Sequence, residues 1–164
     1  MKHTQSVFIG LGSNLGDSVA QLRSALALIG ALPTTTLVQS SSFYHSAPMG
    51  PPDQPIYTNA VCNITTALSP IALLDALQQI EQQHGRVRTG EHWGPRTLDL
   101  DILLFDDVVI HSERLTIPHY GMRGREFVLV PLFEIAPALS MPDHKPLSHW
   151  VKECDLSQLH RLHH

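Results

Sequence analysis

Two carboxylates two residues apart, Asp99 and Asp101, are the clearest candidates for chemistry in this sequence. They lie in segment 98–105, where apolar residues alternate with the aspartates as in a β-strand, so that both carboxylates project from one face. At a rise of about 3.3 Å per residue, their Cα atoms are only about 6.6 Å apart. Carboxylates at this spacing can converge on hard cations such as magnesium. The alternative is a solvated edge strand, but the same face carries Leu103 and Phe105.

Arginines cluster around the aspartate pair. Six of them fall within forty residues: Arg86, Arg88, Arg96, Arg114, Arg123 and Arg125. The planar guanidinium group suits bidentate binding of phosphate, although a solvated basic face is the alternative. Together with the aspartates, the arginines predict metal-assisted phosphoryl chemistry.

Several aromatic and polar residues could hold a flat ring. Trp93 lies in a Gly-Pro loop near arginines, and Phe127 follows Arg125, so the two rings could stack on opposite sides of one ligand, although ordinary packing is the alternative. Tyr57 and Asn59 share a strand face, and the amide of Asn59 suits the edge of a heterocycle or a cross-strand hydrogen bond. His119 could contact phosphate, although a lone histidine is more often structural.

The glycines of Gly10-Leu-Gly-Ser-Asn-Leu-Gly16 follow a predicted strand and precede a predicted helix. Their spacing differs from that of the dinucleotide-binding fingerprint, and no acidic residue follows at the required distance. We therefore favour a tight turn into a helix over direct phosphate binding. The net charge of −4 also argues against general nucleic-acid binding.

The elements that must position these residues follow from periodicity and capping signals. Pro70 after Ser69 marks the start of a helix, whose apolar stripe is Leu73, Leu77 and Ile80. In segment 98–105, the face opposite the aspartates carries Leu98, Leu100, Ile102 and Leu104. The predicted order is β-α-β-β-α-β followed by C-terminal helices, with strands at 7–11, 36–46, 57–68, 98–105 and 108–110 and helices beginning near 18, 70, 128 and 147.

The sequence resembles the family of 6-hydroxymethyl-7,8-dihydropterin pyrophosphokinases, folate-pathway enzymes, from Gly10 to about Pro137. The segment that is similar to the family signature is Trp93-Gly-Pro-Arg-Thr-Leu-Asp-Leu-Asp-Ile102. Other matching segments are Ser42-Phe-Tyr44, Gly50-Pro-Pro-Asp-Gln-Pro55, Tyr57-Thr-Asn59, Gly85-Arg-Val-Arg88, Ile117-Pro-His-Tyr120 and Phe127-Val-Leu-Val-Pro-Leu132. The resemblance implies transfer of the β,γ-diphosphate of ATP to the pterin hydroxymethyl group, with release of AMP.

The resemblance also implies an α+β fold of ferredoxin-like type, with helices packed on an antiparallel sheet and extra C-terminal elements. We expect one pyrophosphokinase domain over residues 1–164, in which 158–164 form a surface or disordered tail. Two magnesium ions are the implied cofactors, and ATP is the co-substrate. Two widely spaced cysteines, no signal peptide and no apolar run of membrane-spanning length predict a cytoplasmic protein that does not bind membranes, and we expect a monomer.

The site residues implied by the resemblance form three groups. Arg86, Arg96, Asp99 and Asp101 would be catalytic, and the two aspartates would hold the metal. The residues that would contact ATP are Gln78, Glu81, Arg86, Arg88, Trp93, Arg96, Ile102, Arg114, Thr116, His119, Tyr120 and Arg125. The residues that would contact the reduced pterin are Ser46, Ala47, Met49, Tyr57, Asn59, Trp93, Asp99 and Phe127.

Two other functions stay open at this point. A non-catalytic nucleotide- or RNA-binding module on the same fold would carry aromatics on its sheet and a basic total charge. A magnesium-dependent phosphohydrolase would release phosphate from ATP without a pterin. The acidic balance of the chain and the aspartate pair argue against the first of these alternatives.

Overall fold

The computed structural model of the chain describes residues 4–13, 18–46, 57–84, 98–119, 121–122, 124–141, 143–157 and 159–162. In these ranges the chain is an α+β protein with a six-stranded antiparallel sheet, a two-stranded sheet and four helices. The strands are β1 (Gln5–Ser13), β2 (Thr35–Ser40), β3 (Tyr44–Ser46), β4 (Tyr57–Thr66), β5 (Asp99–Phe105), β6 (Ile110–His111), β7 (Thr116–Ile117) and β8 (His160–Arg161). The helices are α1 (Ser18–Gly30), α2 (Pro70–Gln83), α3 (Glu126–Ile135) and α4 (Leu147–Lys152).

The large sheet is centred on β1, which pairs with β4 on one side and β5 on the other. Its order is β5-β1-β4-β3-β8, and β2 also pairs with β4. The single strand predicted over 36–46 is therefore two strands, β2 and β3, which both pair with β4. They are separated at Ser41–Phe43, where the amide of Ser41 donates to the carbonyl of Val61 at 2.8 Å.

Helices α1 and α2 pack on one face of the sheet. The Ser69 hydroxyl accepts from the amide of Ala72, and Pro70 occupies the first turn, which confirms the predicted start of α2. Each helix contributes leucine and isoleucine side chains to one buried cluster, and full burial of such a side chain stabilises the fold by about 1.5–3 kcal/mol. The residues of this helical stripe are Leu22, Leu26, Ile29, Leu73, Leu77 and Ile80.

Helices α3 and α4 contribute to a second buried cluster, on the opposite face. Val61 of β4 and Leu103 of β5 pack there with Leu129, Leu132 and Trp150. The sheet is thus covered on both faces, but α3 and α4 leave uncovered the end of the sheet that bears Asp99 and Asp101. Within the part of the chain that the structure describes, no helix is long and apolar enough to cross a bilayer.

The alternation predicted for 98–105 is wrong at its end because the pairing of β1 with β5 contains a register shift. Ile9 lies opposite Ile102, but Phe8 lies opposite Leu104, so that Leu103 is an extra residue. A β-bulge of this kind moves every later side chain to the other face. Leu104 consequently packs in the second cluster and Phe105 in the first, the reverse of the predicted faces.

The C-terminal segment forms the outer strand β8 in the part that the structure describes. Tyr44 lies opposite Arg161, and His45 opposite His160. The amide of Leu162 donates to the carbonyl of Phe43 at 2.8 Å, and the Leu162 side chain packs against the first core cluster. Residues 160–162 therefore extend the edge of the sheet, and both residues of β8 are exposed at its surface.

Candidate active site

A cavity of about 180 Å³ opens on the side of the sheet away from α1 and α2. It lies where β1, β4 and β5 meet the N-terminal end of α3. Eight of the predicted site residues line it: Ser46, Tyr57, Asn59, Asp99, Asp101, His119, Arg125 and Phe127. Six further lining residues were not predicted: Gly10, Leu11, Gly12, Ala60, Leu103 and Val128.

The strand register explains why residues distant in sequence meet in this cavity. Gly12 of β1 lies opposite Asn59 on β4 and opposite Asp99 on β5. Gly10, two residues earlier, lies opposite Asp101. Directly paired residues of neighbouring strands project from the same face. The amide and the two carboxylates therefore stand on one face, on either side of a strip that has no side chains.

The two glycines keep that strip open. A Cβ atom on Gly12 would lie 3.3 Å from Oδ1 of Asn59, and one on Gly10 would lie 3.4 Å from a methyl group of Leu103. The predicted strand over 7–11 included Gly10, but the tight turn expected after it is wrong for Gly12, since β1 continues to Ser13. A glycine inside a strand often marks the close approach of a ligand or another chain segment, and this was the signal available in the sequence.

Asn59 and Ser46 form a buried polar pair at the β3–β4 side of the cavity. Nδ2 of Asn59 donates to Oγ of Ser46 at 2.7 Å, and both residues are almost fully buried. This bond fixes the orientation of the amide and brings Oδ1 over Gly12. The cross-strand hydrogen bond considered for Asn59 is therefore present, and it coexists with a position on the cavity wall.

His119 is held so that one ring nitrogen faces the carboxylates. Its backbone amide donates to the carbonyl of Leu103 at 3.0 Å, and Nδ1 accepts from the amide of Gly121 at 3.1 Å. In the neutral ring the hydrogen is then on Nε2, which lies 3.9 Å from Oδ1 of Asp101. Burial lowers the pKa of His119, Asp101 opposes that effect, and the charge of Arg125 adds to it.

Arg125 and Phe127 stand together at the start of α3. The Arg125 guanidinium carbon lies 5.9 Å from the centre of the Phe127 ring, within reach of a cation–π interaction. A Cβ atom on Gly121 would approach that carbon to 2.8 Å, so the missing side chain gives the guanidinium its space. A cation and an aromatic ring thereby border the same cavity.

The predicted ATP residues Gln78, Arg114 and Thr116 do not line the cavity. Arg114 donates to Asp75 at 2.6 Å and to the side-chain oxygen of Gln78 at 3.3 Å, so two of the three residues do meet. Both are on the exposed surface of α2 and the loop before β7. An exposed ion pair of this kind stabilises the fold by at most about 1 kcal/mol.

Two other predicted ATP residues point away from the cavity. The side chain of Ile102 is 3% exposed and packs in the cluster beneath α1 and α2. Glu81 is 5% exposed, and its carboxylate accepts from the amide of Leu100 at 2.9 Å. Glu81 therefore anchors the strand between the two aspartates. The Ile102 side chain is therefore part of the core and does not line the cavity.

The remaining predicted site residues lie outside the described residues. They are Ala47, Met49, Arg86, Arg88, Trp93, Arg96 and Tyr120. This group contains three of the arginines predicted to bind ATP (Arg86, Arg88 and Arg96) and Trp93, the second ring of the suggested stack.

The aspartate pair fits magnesium. Asp101 has 54% of its side chain exposed, and Asp99 is half-buried beside it on the cavity wall. Within the described ranges no group of three or more metal-binding side chains occurs. Magnesium commonly takes one or two carboxylates and completes its shell with water and substrate phosphates, so two aspartates beside an open cavity are an adequate protein contribution.

A second cavity, of about 530 Å³, lies at the other end of the same face. Among the described residues that line it there is no arginine or lysine, whereas Asp106 and Asp107 stand at its edge. This cavity is therefore less suited to an anionic nucleotide than the smaller cavity, which carries His119 and Arg125 and is our candidate active site.

Comparison with known proteins identifies the family of the chain. The family model for 7,8-dihydro-6-hydroxymethylpterin-pyrophosphokinase matches residues 8–137. The chain belongs to this family. Asp99, Asp101 and the other described residues that line the smaller cavity all lie in the matched range.

Curated relatives support the same family. The chain is 56% identical over 148 residues to a 2-amino-4-hydroxy-6-hydroxymethyldihydropteridine pyrophosphokinase of Haemophilus influenzae, covering 90% of this chain and 92% of the relative. It is 48% identical over 158 residues to the enzyme of that name from Pseudomonas aeruginosa, covering 96% and 97%.

Solved structures show the same fold at low sequence identity. A wild-type Plasmodium falciparum HPPK-DHPS crystallised with pteroate superposes with a TM-score of 0.75 at 14% identity. The superposition covers 93% of this chain and 45% of that longer chain. The pyrophosphokinase fold is thus shared well beyond recognisable sequence similarity.

Proposed function

We propose that this pyrophosphokinase transfers the β,γ-diphosphate of ATP to the hydroxymethyl group of 6-hydroxymethyl-7,8-dihydropterin and releases AMP, a step of folate biosynthesis. One observation carries the proposal. A single cavity brings an aspartate pair, a histidine and an arginine together with a buried amide and an aromatic ring. The aspartates, the histidine and the arginine suit a polyphosphate, whereas the amide and the aromatic ring suit a flat heterocycle. Each substrate therefore has a suitable end of the cavity.

The pterin is proposed to lie at the β3–β4 side of the cavity. Asn59 offers its amide to the ring edge in an orientation fixed by Ser46, and Tyr57 flanks it. Phe127 supplies one aromatic face, and from the family resemblance we assign the other to Trp93. Ala47 and Met49 are proposed to complete the edge contacts, and Asp99 to reach both the pterin and the metal.

The triphosphate is proposed to lie at the β5 side. Asp99 and Asp101 would hold two magnesium ions, which when bound neutralise and orient the phosphate oxygens. Nε2–H of His119 and the guanidinium of Arg125 face the same space. Arg86, Arg88, Arg96 and Tyr120 are assigned to the triphosphate from the family resemblance.

The adenosine is proposed to extend towards Gln78, Arg114 and Thr116. Arg114 and Gln78 are already in hydrogen-bond contact, and their exposure leaves them accessible to a ligand. Glu81 and Ile102 are proposed to act from behind β5, where they set the position of the strand, and not through side-chain contact with the nucleotide.

The chemistry needs positioning more than it needs a strong base. The pterin hydroxyl oxygen forms a bond to the β-phosphorus while the bond from that phosphorus to the α,β-bridging oxygen breaks, so AMP leaves with the bridging oxygen. The hydroxyl proton passes to solvent. Transfers of this kind depend on in-line placement and charge neutralisation, which the cavity's cations can supply.

We also propose a ferredoxin-like core within one domain over residues 1–164. Taking β2 and β3 as one interrupted strand, the order β5-β1-β4-β2/β3 with α1 and α2 on one face supports this topology. A cytoplasmic monomer is our further proposal, based on the two free cysteines and on a site built from one chain.

Product analysis tests the proposed function. The purified chain should convert ATP to AMP only when magnesium and the reduced pterin are both present, with a pterin diphosphate formed in equal amount. Formation of ADP, or release of free phosphate without pterin, would contradict the proposal and favour a phosphohydrolase. Binding of ATP without any turnover would favour a non-catalytic module.

A further inference from the structure

A hydrogen-bond network outside the cavity joins α3 to β3 through Glu134. Its carboxylate accepts from the hydroxyl of Tyr44 at 2.6 Å and, through the other oxygen, from the amide and hydroxyl of Ser42 at 2.9 and 3.0 Å. Arg161 of β8 lies 3.9 Å from the same carboxylate. One acidic side chain thus accepts three hydrogen bonds from the segment 42–44.

The ionisation of this network agrees with its geometry. Partial burial disfavours the charged form of Glu134, but the donors Tyr44 and Ser42 and the charge of Arg161 outweigh it and hold the pKa of the carboxyl below its ordinary value. Burial, and then the bond to Glu134, raises the pKa of Tyr44. The bond therefore joins a neutral phenol to a carboxylate, which is a strong type of hydrogen bond.

The two elements that Glu134 connects form two walls of the cavity. Its helix, α3, carries Phe127 and Val128 near the N-terminal end. Its partner strand, β3, ends at Ser46, the acceptor for Asn59. The strand is only three residues long, so its backbone pairing alone is short, and side-chain bonds form a large part of what holds it.

The pairing register of β3 with β4 places Tyr44 beside Asn59, at the end of the cavity that we propose for the pterin. Tyr44 lies opposite Asn59 in the pairing of β3 with β4. Ser46, two residues along β3, accepts the Asn59 amide hydrogen. A displacement of Tyr44 would therefore shift the strand that orients Asn59, while Asp99 and Asp101 on β5 would keep their positions.

We propose that Glu134 is a positioning residue for the pterin end of the cavity: by binding Tyr44 and Ser42 it sets the spacing between the aromatic wall on α3 and the amide wall on β3 and β4. This inference rests on the proposed placement of the pterin. The network's own bonds lie on segment 42–44, β8 and α3 and not on β5, which carries the two aspartates, so we expect it to act mainly on the pterin end. Removal of the network should weaken pterin binding and leave ATP binding nearly unchanged.

Steady-state kinetics on Tyr44→Phe and Glu134→Gln test the proposal. Tyr44→Phe deletes one hydroxyl, and Glu134→Gln preserves the shape but removes the charge. We expect KM for the reduced pterin, measured at saturating ATP and magnesium, to rise about tenfold. A change of this size corresponds to the loss of one charge-assisted hydrogen bond. KM for ATP should change less than twofold. In the double variant the two effects should be less than additive, since Tyr44→Phe removes the donor and Glu134→Gln weakens the acceptor of the same bond.

Asp143→Ala is the matched control. It deletes the acceptor of the 2.9 Å bond from Nε1 of Trp150, a second polar anchor of the α3–α4 side. Its melting temperature should fall about as much as those of the two network variants, but its pterin KM should stay within twofold of the wild-type value.

The inference is overturned if both network variants keep the wild-type pterin KM, or if pterin KM and ATP KM rise together. It is also overturned if Asp143→Ala raises pterin KM to the same extent, because a general loss of stability would then explain the effect. These outcomes presuppose a wild-type chain that makes AMP from ATP and pterin; if it does not, the proposed function fails, and the failure is seen before any variant is measured.

Discussion

Asn59 and Asp99 face each other across one glycine, since both pair with Gly12 from opposite sides of β1. Two strand spacings of about 4.8 Å place their backbones roughly 9.6 Å apart. The floor between them has no side chain. A group that reads a heterocycle and a group that binds a cation therefore share one recess, and this relationship underlies the proposed placement of the two substrates.

The aspartate pair gives the first prediction. Asp99→Asn and Asp101→Asn should each lower turnover by at least about 10³-fold, because the amide keeps the shape but loses the charge that binds the metal. Their melting temperatures should not fall, since one of two neighbouring like charges is removed. Asp107→Asn, in the exposed turn after β5, is the control and should keep full activity. Near-normal rates in both cavity variants would contradict the metal role.

The glycine strip gives the second prediction. Gly12→Ala places a methyl group 3.3 Å from Oδ1 of Asn59, whose amide is already fixed by Ser46, so the pterin KM should rise by about tenfold or more. Gly10→Ala meets only a flexible methyl group of Leu103 at 3.4 Å and serves as the paired comparison. It should change the pterin KM less. A wild-type pterin KM in the Gly12→Ala variant would show that the strip does not border the pterin.

Glu81 gives a third prediction, which separates a structural role from contact with ATP. Glu81→Ala leaves the buried amide of Leu100 without this acceptor and should lower the free energy of unfolding by about 1–3 kcal/mol in a urea titration. Glu81→Gln retains an acceptor oxygen and should lose less. ATP affinity of the folded Glu81→Gln protein should stay within a few-fold of wild type. A large loss of ATP affinity in Glu81→Gln, with an unchanged free energy of unfolding, would indicate that Glu81 contacts the nucleotide.

The pH dependence of stability gives a fourth prediction. The pKa of Glu134 is lower in the folded chain than in the unfolded one, so its contribution is complete above the unfolded pKa and is lost as the pH falls through the folded value. The stability difference between wild type and Glu134→Gln should therefore be largest near neutral pH. It should shrink between about pH 5 and pH 3. A difference that is constant over this range in urea titrations would exclude a stabilising charge on Glu134.

Sequence patterns were sufficient for the parts of the fold that depend on local signals. Ser69 and Pro70 mark the start of α2, and the stripe containing Leu73 and Leu77 identifies its buried face. The aspartate pair on β5 was equally visible, because both residues precede the irregularity in the strand.

The features that could not be predicted from the sequence depend on contacts between residues that are far apart in the chain. The extra residue Leu103 exists only in the pairing of β5 with β1, so alternation placed Leu104 and Phe105 on the wrong faces. Strand β8 has two residues and forms only because β3 offers an edge. Glu134 looked like an ordinary residue of an apolar helix, and its donors lie 90 and 92 residues earlier in the chain.

The fate of the β-phosphate tests the central claim most directly. ATP labelled at its β-phosphate should be incubated with magnesium, the reduced pterin and the wild-type chain, and the labelled product identified by chromatography. Diphosphate transfer predicts that the label moves to the pterin in step with the formation of unlabelled AMP. Label that remains in ADP, or that appears as free phosphate or diphosphate with no labelled pterin, would contradict the account.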